Sequence, residues 1–269
     1  MDSYLRNHYD QHATNTSTRQ ERAAGPAAPL KIYHNSIKRH LIQTFASNVV
    51  SLLDVACGRG GDIQKWDAAG IAHVHGIDIS PGEIEEAKRR YRARAWKKLT
   101  CDFHVSSTLA TKEWFFKQYD VVSCMFALHY FCGSERTLDH IMRNVSASLK
   151  PGGYFIGTVP DGARIVDAVP GPMLRVQPLW TGDPRPFGCA YVCDIADTVT
   201  SGGSIEYLVD ETALIEVAAR HGLHPVVSPY GADYLEQRET ALFRHFSPTF
   251  SGDLARASVL FAAFVFQKN

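Results

Sequence analysis

The stretch Leu52-Leu53-Asp54-Val55-Ala56-Cys57-Gly58-Arg59-Gly60-Gly61-Asp62 limits the fold more than any other. A continuous apolar run from Val49 to Val55 ends in a cluster of small residues, then an acid. Short runs of this kind, bounded by turn residues, suit a parallel sheet covered on both faces. Ala56, Gly58, Gly60 and Gly61 let the backbone turn tightly and approach a ligand. Asp62 is placed to cap the helix that follows, with Lys65, Trp66 and Ala69 on its first turns. Strand, glycine turn and helix N-terminus open a nucleotide-binding α/β unit; the same pattern also serves as a tight strand–helix turn with no ligand.

A second run, His73 to Ser80, narrows the choice. It ends in Asp78, about twenty residues beyond the turn, where a doubly wound fold places the carboxylate that holds a ribose diol. The other reading of Asp78 is a helix N-cap, a role Ser80 or Pro81 can fill. The spacing G-x-G-G lacks the third glycine of dinucleotide sites, and a helix N-terminus without a pyrophosphate needs fewer glycines. The combination points to a ligand with a ribose and a short charged tail, which S-adenosylmethionine fits better than NAD.

Charge limits the partners. Lys plus Arg equal Asp plus Glu at 28 each, whereas proteins that track many phosphates are basic. Nucleic acid is therefore either absent or touched at its very end. Six scattered cysteines without a C-x-x-C pair indicate a reducing compartment and no zinc. No apolar run reaches the ~18–20 residues of a membrane span, and the N-terminus has no apolar core, so neither a membrane partner nor a secretory signal is expected.

Strands are expected at 49–55, 73–80, 101–105, 119–130 and 154–160. Helices fall between them: from Lys31, from Pro81 to Ala95, and from Ser134 or Glu135 to Leu149. The alternation implies an α/β fold with a parallel sheet. Residues 161–209 break the rhythm and read as an insertion, with small antiparallel strands around "FGCAYVCDIAD". A helix at 210–221 and strands in "LHPVVSPY" and "SVLFAAFVFQK" follow, the last two as a terminal antiparallel hairpin on the sheet edge, with a polar loop or helix at 230–250. The domain is expected over 31–269, preceded by a flexible segment over 1–30.

Seven strands in this order resemble the class I S-adenosylmethionine-dependent methyltransferases: a Rossmann-like, mostly parallel sheet with helices on both faces and an inserted segment over the active site. "NHYD" (7–10), "YHNSIKRHLI" (33–42), "DVACGRGGDIQKW" (54–66), "FALHYFCGSE" (126–135), "GGYFIGTVPD" (152–161), "PFGCAYVCDI" (186–195), "IEYLVD" (205–210) and the closing "FAAFVFQK" make the resemblance narrower. In that order they are similar to the mRNA cap guanine-N7 methyltransferases of eukaryotes and large DNA viruses.

The resemblance implies roles for individual residues. Lys38, Ala56, Gly58, Asp78, Ser106, Ser107, Met125 and Tyr130 fall at cofactor positions, for S-adenosylmethionine and its product S-adenosylhomocysteine. His34, Asn35, Arg59, Lys65, Arg90, His129, Pro160, Glu206 and Phe261 fall at positions for the cap, with His129, Tyr130 and Glu206 positioning the guanine. The chain departs from the family at Ala56 (Gly), Ser106 or Ser107 (Asp), Met125 (often Gln) and Phe261 (Tyr). The implied acceptor is the GpppN end of capped RNA, which suits a neutral chain: one nucleotide and its triphosphate need a local basic cluster, not a basic face. Guanine N7 has a lone pair and no proton, so an in-line displacement needs no general base, and no metal is called for. The family's partners are an RNA guanylyltransferase and triphosphatase, in trans or on one polypeptide. A monomeric domain is expected, in the nucleus for a cellular chain, or at a cytoplasmic replication site or in a virion for a viral one. Two other readings stand beside this one: a methyltransferase for small molecules or other RNA, and a degenerate domain that binds cofactor or capped RNA without transfer.

Overall fold

The apolar runs resolve into one seven-stranded sheet. The computed structural model describes residues 2–13, 25–109, 111, 117–227 and 249–269. In chain order the elements are α1 (Asp2–Ala13), α2 (Ala28–Phe45), β1 (Ser51–Val55), α3 (Ile63–Ala68), β2 (His73–Asp78), α4 (Pro81–Arg92), β3 (Thr100–Val105) and β4 (Tyr119–Met125). A 3-10 turn (Leu128–Phe131) follows, then α5 (Glu135–Ser148), β5 (Leu149–Pro160), α6 (Gly162–Val166), β6 (Leu174–Pro178), β7 (Ala190–Ile195) and β8 (Ser204–Tyr207). The chain finishes with α7 (Glu211–Ala219), β9 (Leu223–Pro225), α8 (Asp253–Ser258) and β10 (Phe261–Lys268).

Across the sheet the order is β3-β2-β1-β4-β5-β10-β9. Strands β1 to β5 run parallel, and β10 is antiparallel to both its neighbours. The chain leaves β1 first to one side and then to the other, so the crevice at the carboxyl ends of β1 and β4 is the switch point where such sheets bind ligands. The continuous apolar character of the strands has its cause in two cores. Leu52, Val74, Val121 and Ile156 pack with α2, α3 and α4 on one face. Leu53, Val55, Ile77, Val122 and Phe155 pack with α5 and α7 on the other. Helix α5 is held at its start by a capping box between Ser134 and Thr137.

Several expectations shift. The last two strands are antiparallel, but only β9 lies at the edge; β10 is inserted between it and β5. Strand β5 starts at Leu149, since Leu149 pairs with Tyr119 ahead of the irregularity that the Lys150-Pro151-Gly152-Gly153 turn introduces. The insertion holds a three-stranded antiparallel sheet, β6-β7-β8. Residues 2–13, read as part of a flexible segment, form α1. Their polarity hid the docking, which is made by single side chains: the Tyr9 hydroxyl lies 2.7 Å from that of Tyr130, and Asp10 accepts from the Ser80 hydroxyl at 2.5 Å and the Gly82 N–H at 3.2 Å. Helix α2 begins at Ala28 and buries Leu30, Tyr33, Ile37, Leu41 and Ile42, so it belongs to the core. Residues 14–24 and most of the 230–250 segment lie outside the described residues. Among the described residues no helix is long and apolar enough to cross a membrane.

Candidate active site

A cavity of about 540 Å³ opens at the switch point. All eight residues read as cofactor positions line it: Lys38, Ala56, Gly58, Asp78, Ser106, Ser107, Met125 and Tyr130. The sequence brings them there because β1, β2, β3 and β4 all end at the same rim. Asp78, at the end of β2, is buried, and its carboxylate accepts from the N–H of Gly58 at 2.8 Å and of Ser80 at 2.9 Å. Burial raises its pKa to about 6, against the pull of those two bonds. Ser80, not Asp78, caps α4.

The glycine turn shows why small residues are needed. Gly58 takes φ +51 and Gly60 φ +68, and a Cβ on Gly60 would strike Ile63. Ala56, where the resemblance implies a glycine, takes φ 58, a left-handed backbone that costs a residue with a Cβ about 1–2 kcal/mol. Phe126 is also left-handed at φ 59. Its N–H is held at 3.0 Å by both the carbonyl and the hydroxyl of Thr158, and strained residues of this kind cluster at functional sites.

Asp62 does not cap α3 with its side chain. It accepts instead from Lys38 and from Lys65, each at 2.7 Å. Burial pushes its pKa up, but the two ammonium groups override this and hold it at about 2. Lys65 is thereby buried in an ion pair and is not on the cavity wall. Lys38 lines the cavity, and its ammonium has two further donors besides the one given to Asp62.

The residues read as cap positions divide into groups. His129, on the 3-10 turn, and Glu206, on β8, are 3% and 4% exposed and 3.8 Å apart, Nε2 to Oε1. Glu206 accepts from the Tyr191 hydroxyl at 2.8 Å, and burial raises its pKa to about 7 despite that bond. Burial also drives the His129 pKa down to about 3, so the ring is neutral. Neither of its nitrogens has a hydrogen-bond partner among the described residues. Neither His129 nor Glu206 is on the cavity wall, but their chain neighbours Tyr130 and Tyr207 are; the Tyr130 hydroxyl lies 3.4 Å from that of Ser204. His34 stacks on Phe126 and meets Phe261 edge-on, both with ring centroids at 4.8 Å. Pro160 is in register with Phe261 across β5 and β10.

Three other cap positions are not brought together as the sequence suggested. Arg59 lines the cavity, but its guanidinium is engaged by both carboxylate oxygens of Glu83. Asn35 is exposed on α2 and donates to the Lys31 carbonyl at 2.7 Å. Arg90 pairs with Glu86 at 2.7 Å and is not on the wall. Sequence reasoning missed Tyr9, Asp54, Glu83 and Tyr207 on the wall, and Tyr191 behind it. Asp54 was legible as a polar break in an apolar strand. Buried against Ser123 and near the Asp62 charge, it has its pKa raised to about 7.

Comparison with known proteins agrees with the fold. The solved structures of the PH0226 protein of Pyrococcus horikoshii (TM-score 0.59, 16% identity, 94% of this chain and 100% of that one) and of the Bradyrhizobium japonicum N-methyltransferase NodS in complex with S-adenosylhomocysteine (0.56, 13%, 98% and 97%) share the fold. The mRNA cap guanine-N(7) methyltransferase 1 of Arabidopsis thaliana is 39% identical over 59% of this chain and 45% of its own length. The mRNA cap guanine-N(7) methyltransferase of Drosophila melanogaster is 30% identical over 81% of this chain and 58% of its own. The chain thus spans about half the length of these relatives. Residues 1–172, more than half of the chain and including the glycine turn, Asp78 and His129, match the mRNA (guanine-N(7))-methyltransferase domain, and the chain belongs to that family.

Proposed function

We propose that the protein transfers a methyl group from S-adenosylmethionine to N7 of the terminal guanine of GpppN-capped RNA. The observation that carries the reading is the buried Glu206–His129 pair, next in the chain to the cavity-lining Tyr207 and Tyr130, with both His129 nitrogens lacking hydrogen-bond partners among the described residues. Guanine presents two adjacent donors, N1–H and the 2-amino group, which a carboxylate can accept together; adenine does not present that pair. A neutral imidazole adds a donor and an acceptor for the remaining edge.

The cavity fits the cofactor. Its volume is within the range of small-molecule sites. Asp78 supports a ribose diol, Lys38 has donors for a carboxylate, and Gly58 brings backbone close to the ligand without a side chain between them. When bound, S-adenosylmethionine supplies a methyl already activated by its sulfonium. The protein's part is alignment: Tyr130 and the strained Phe126 line the cavity, and well-oriented reactants gain about 7–11 kcal/mol over free encounter. Glu206 also offers an anion to a guanine that gains positive charge as N7 is alkylated, which favours the transition state over the ground state. N7 carries no proton, so no residue is assigned as a base.

Methyl transfer to GpppG, with GpppA as the comparison and the product mapped by mass spectrometry, tests this directly. N7-methylated GpppG is expected, with GpppA poor. Equal use of both caps, or turnover of small molecules alone, would favour the broader methyltransferase reading. Cofactor binding without transfer would favour a degenerate domain.

The cofactor half has its own test. Asp78→Ala removes charge-assisted hydrogen bonds worth about 1.5–3 kcal/mol. Affinity for S-adenosylhomocysteine should fall about ten- to a hundredfold by calorimetry. Unchanged affinity in a folded variant would remove Asp78 from the site.

A further inference from the structure

The neutral balance of the chain conceals a local excess. Residues 87–98 hold seven Lys and Arg and no Asp or Glu, leaving 21 basic against 28 acidic residues elsewhere. Three of the seven are answered within α4: Lys88 by Glu85, and Arg89 and Arg90 by Glu86. Arg92, Arg94, Lys97 and Lys98 are exposed and have no ion pair among the described residues.

The turn that carries these four is fixed in place. The Tyr91 and Trp96 rings stack with centroids 6.1 Å apart and planes 1° from parallel. The Trp96 indole donates to the Tyr91 carbonyl at 2.7 Å, and the Tyr91 hydroxyl donates to the carbonyl of buried Leu99 at 3.1 Å. The cations thus stand on a braced corner of the domain, so less backbone freedom is lost when an anion is bound. Helix α4 connects this corner to the site: it starts beside the cavity at Ser80 and Glu83. Twelve residues of helix rise about 18 Å, so a strand that reaches this corner from the cavity does so with nucleotides beyond the cap.

Resting on the capped-RNA reading above, we propose that the Arg92–Lys98 turn holds the phosphates of the RNA body downstream of the cap. Contacts of this kind position the strand and carry no sequence information. The acidic excess on the rest of the chain repels RNA elsewhere and directs it to this corner.

The test combines Arg92→Ala, Arg94→Ala, Lys97→Ala and Lys98→Ala in one variant of the full chain. Steady-state transfer is measured with GpppG and with an unstructured capped RNA of about twenty nucleotides, long enough to reach the corner from the cap. The four side chains are exposed, and GpppG kinetics equal to the parent's report an intact site. For the capped RNA, KM should rise in the variant at low salt while kcat holds. Four phosphate contacts on a single strand correspond to about a fiftyfold loss of affinity between 50 and 200 mM salt; the parent's KM should show that dependence and the variant's should lose most of it. Equal KM and equal salt dependence for the capped RNA would overturn the proposal, and leave the corner to an acidic protein segment. If the parent methylates neither acceptor, the capped-RNA reading itself fails. Fluorescence anisotropy with an uncapped RNA of the same length then decides the patch: weaker binding by the variant supports it, and equal binding overturns it.

Discussion

Glu206→Gln will lower methyl transfer to GpppG by about a hundredfold or more, while S-adenosylhomocysteine binds as it does to the parent. The change keeps the side-chain shape and the acceptor that meets the Tyr191 hydroxyl. It replaces the other acceptor by an amide that faces guanine's own donors. Each buried group left unpaired costs about 1–3 kcal/mol, and about 1.4 kcal/mol is a factor of ten in rate. The loss is greater still in the transition state, where guanine gains positive charge and the anion has gone. A second readout separates this from general damage. Burial raises the Glu206 pKa from 4.5 to about 7, so the folded protein holds this proton more tightly than the unfolded chain does. Ionised Glu206 therefore destabilises the free protein progressively as pH rises from 4.5 through 7. The variant should melt at a higher temperature than the parent at pH 8, and the two should converge below pH 4.5. Transfer to GpppG at close to the parent rate would remove Glu206 from the acceptor site.

Asp62→Asn will have the largest effect on stability. In the parent one carboxylate compensates two ammonium groups, Lys38 and Lys65, whose side chains are 16% and 7% exposed. Removing one partner of a buried pair costs about 3–5 kcal/mol, because the other charge stays buried without compensation. In a domain of this size that lowers Tm by about 6–20 °C. The pH dependence has the opposite sign to that of Glu206. Asp62 has its pKa depressed from 3.8 to about 2, so its contribution is complete above pH 3.8 and is lost as pH falls through 2. The difference in Tm between parent and variant should therefore be full at neutral pH and shrink in strong acid. A variant that melts with the parent at pH 7 would show that solvent, not Asp62, carries the two lysines.

The parallel half of the sheet was legible because strands buried on both faces read as mostly apolar runs bounded by turn residues, and β1 and β4 do so in spite of Asp54 and Asp120. The cofactor wall was legible for a related reason: the ends of consecutive parallel strands share one rim, so Ala56, Asp78, Ser106 and Met125 had to meet. Ion pairs were not legible. Arg59 and Lys65 announce their charge, but Glu83 lies 24 residues from Arg59 and nothing local names it as the partner. Asp62 has the position of a cap and the function of a shared counter-ion, a choice made by α2 packing across it. Helix α1 was missed because it carries no apolar stripe; single side chains, His8, Tyr9 and Asp10 among them, do the docking. Glu206 was a candidate only through resemblance, since a lone acid in an inserted segment reads as surface, and its burial on β8 was not legible.

The place of β10 in the sheet has a consequence for synthesis. Strands β1 to β5 can pair in the order in which they leave the ribosome, but the partner of β5 beyond Pro160 begins at Phe261, about a hundred residues later. At 5–20 residues per second, β5 waits about 5–20 s with one row of backbone donors and acceptors open. The waiting segment, Phe155-Ile156-Gly157-Thr158-Val159, is uncharged and rich in β-formers, the composition that recruits strands from neighbouring chains. Soluble yield is therefore governed by how quickly residues 161–260 are translated, and slow codons there should send more of the protein into aggregates than slow codons before residue 149.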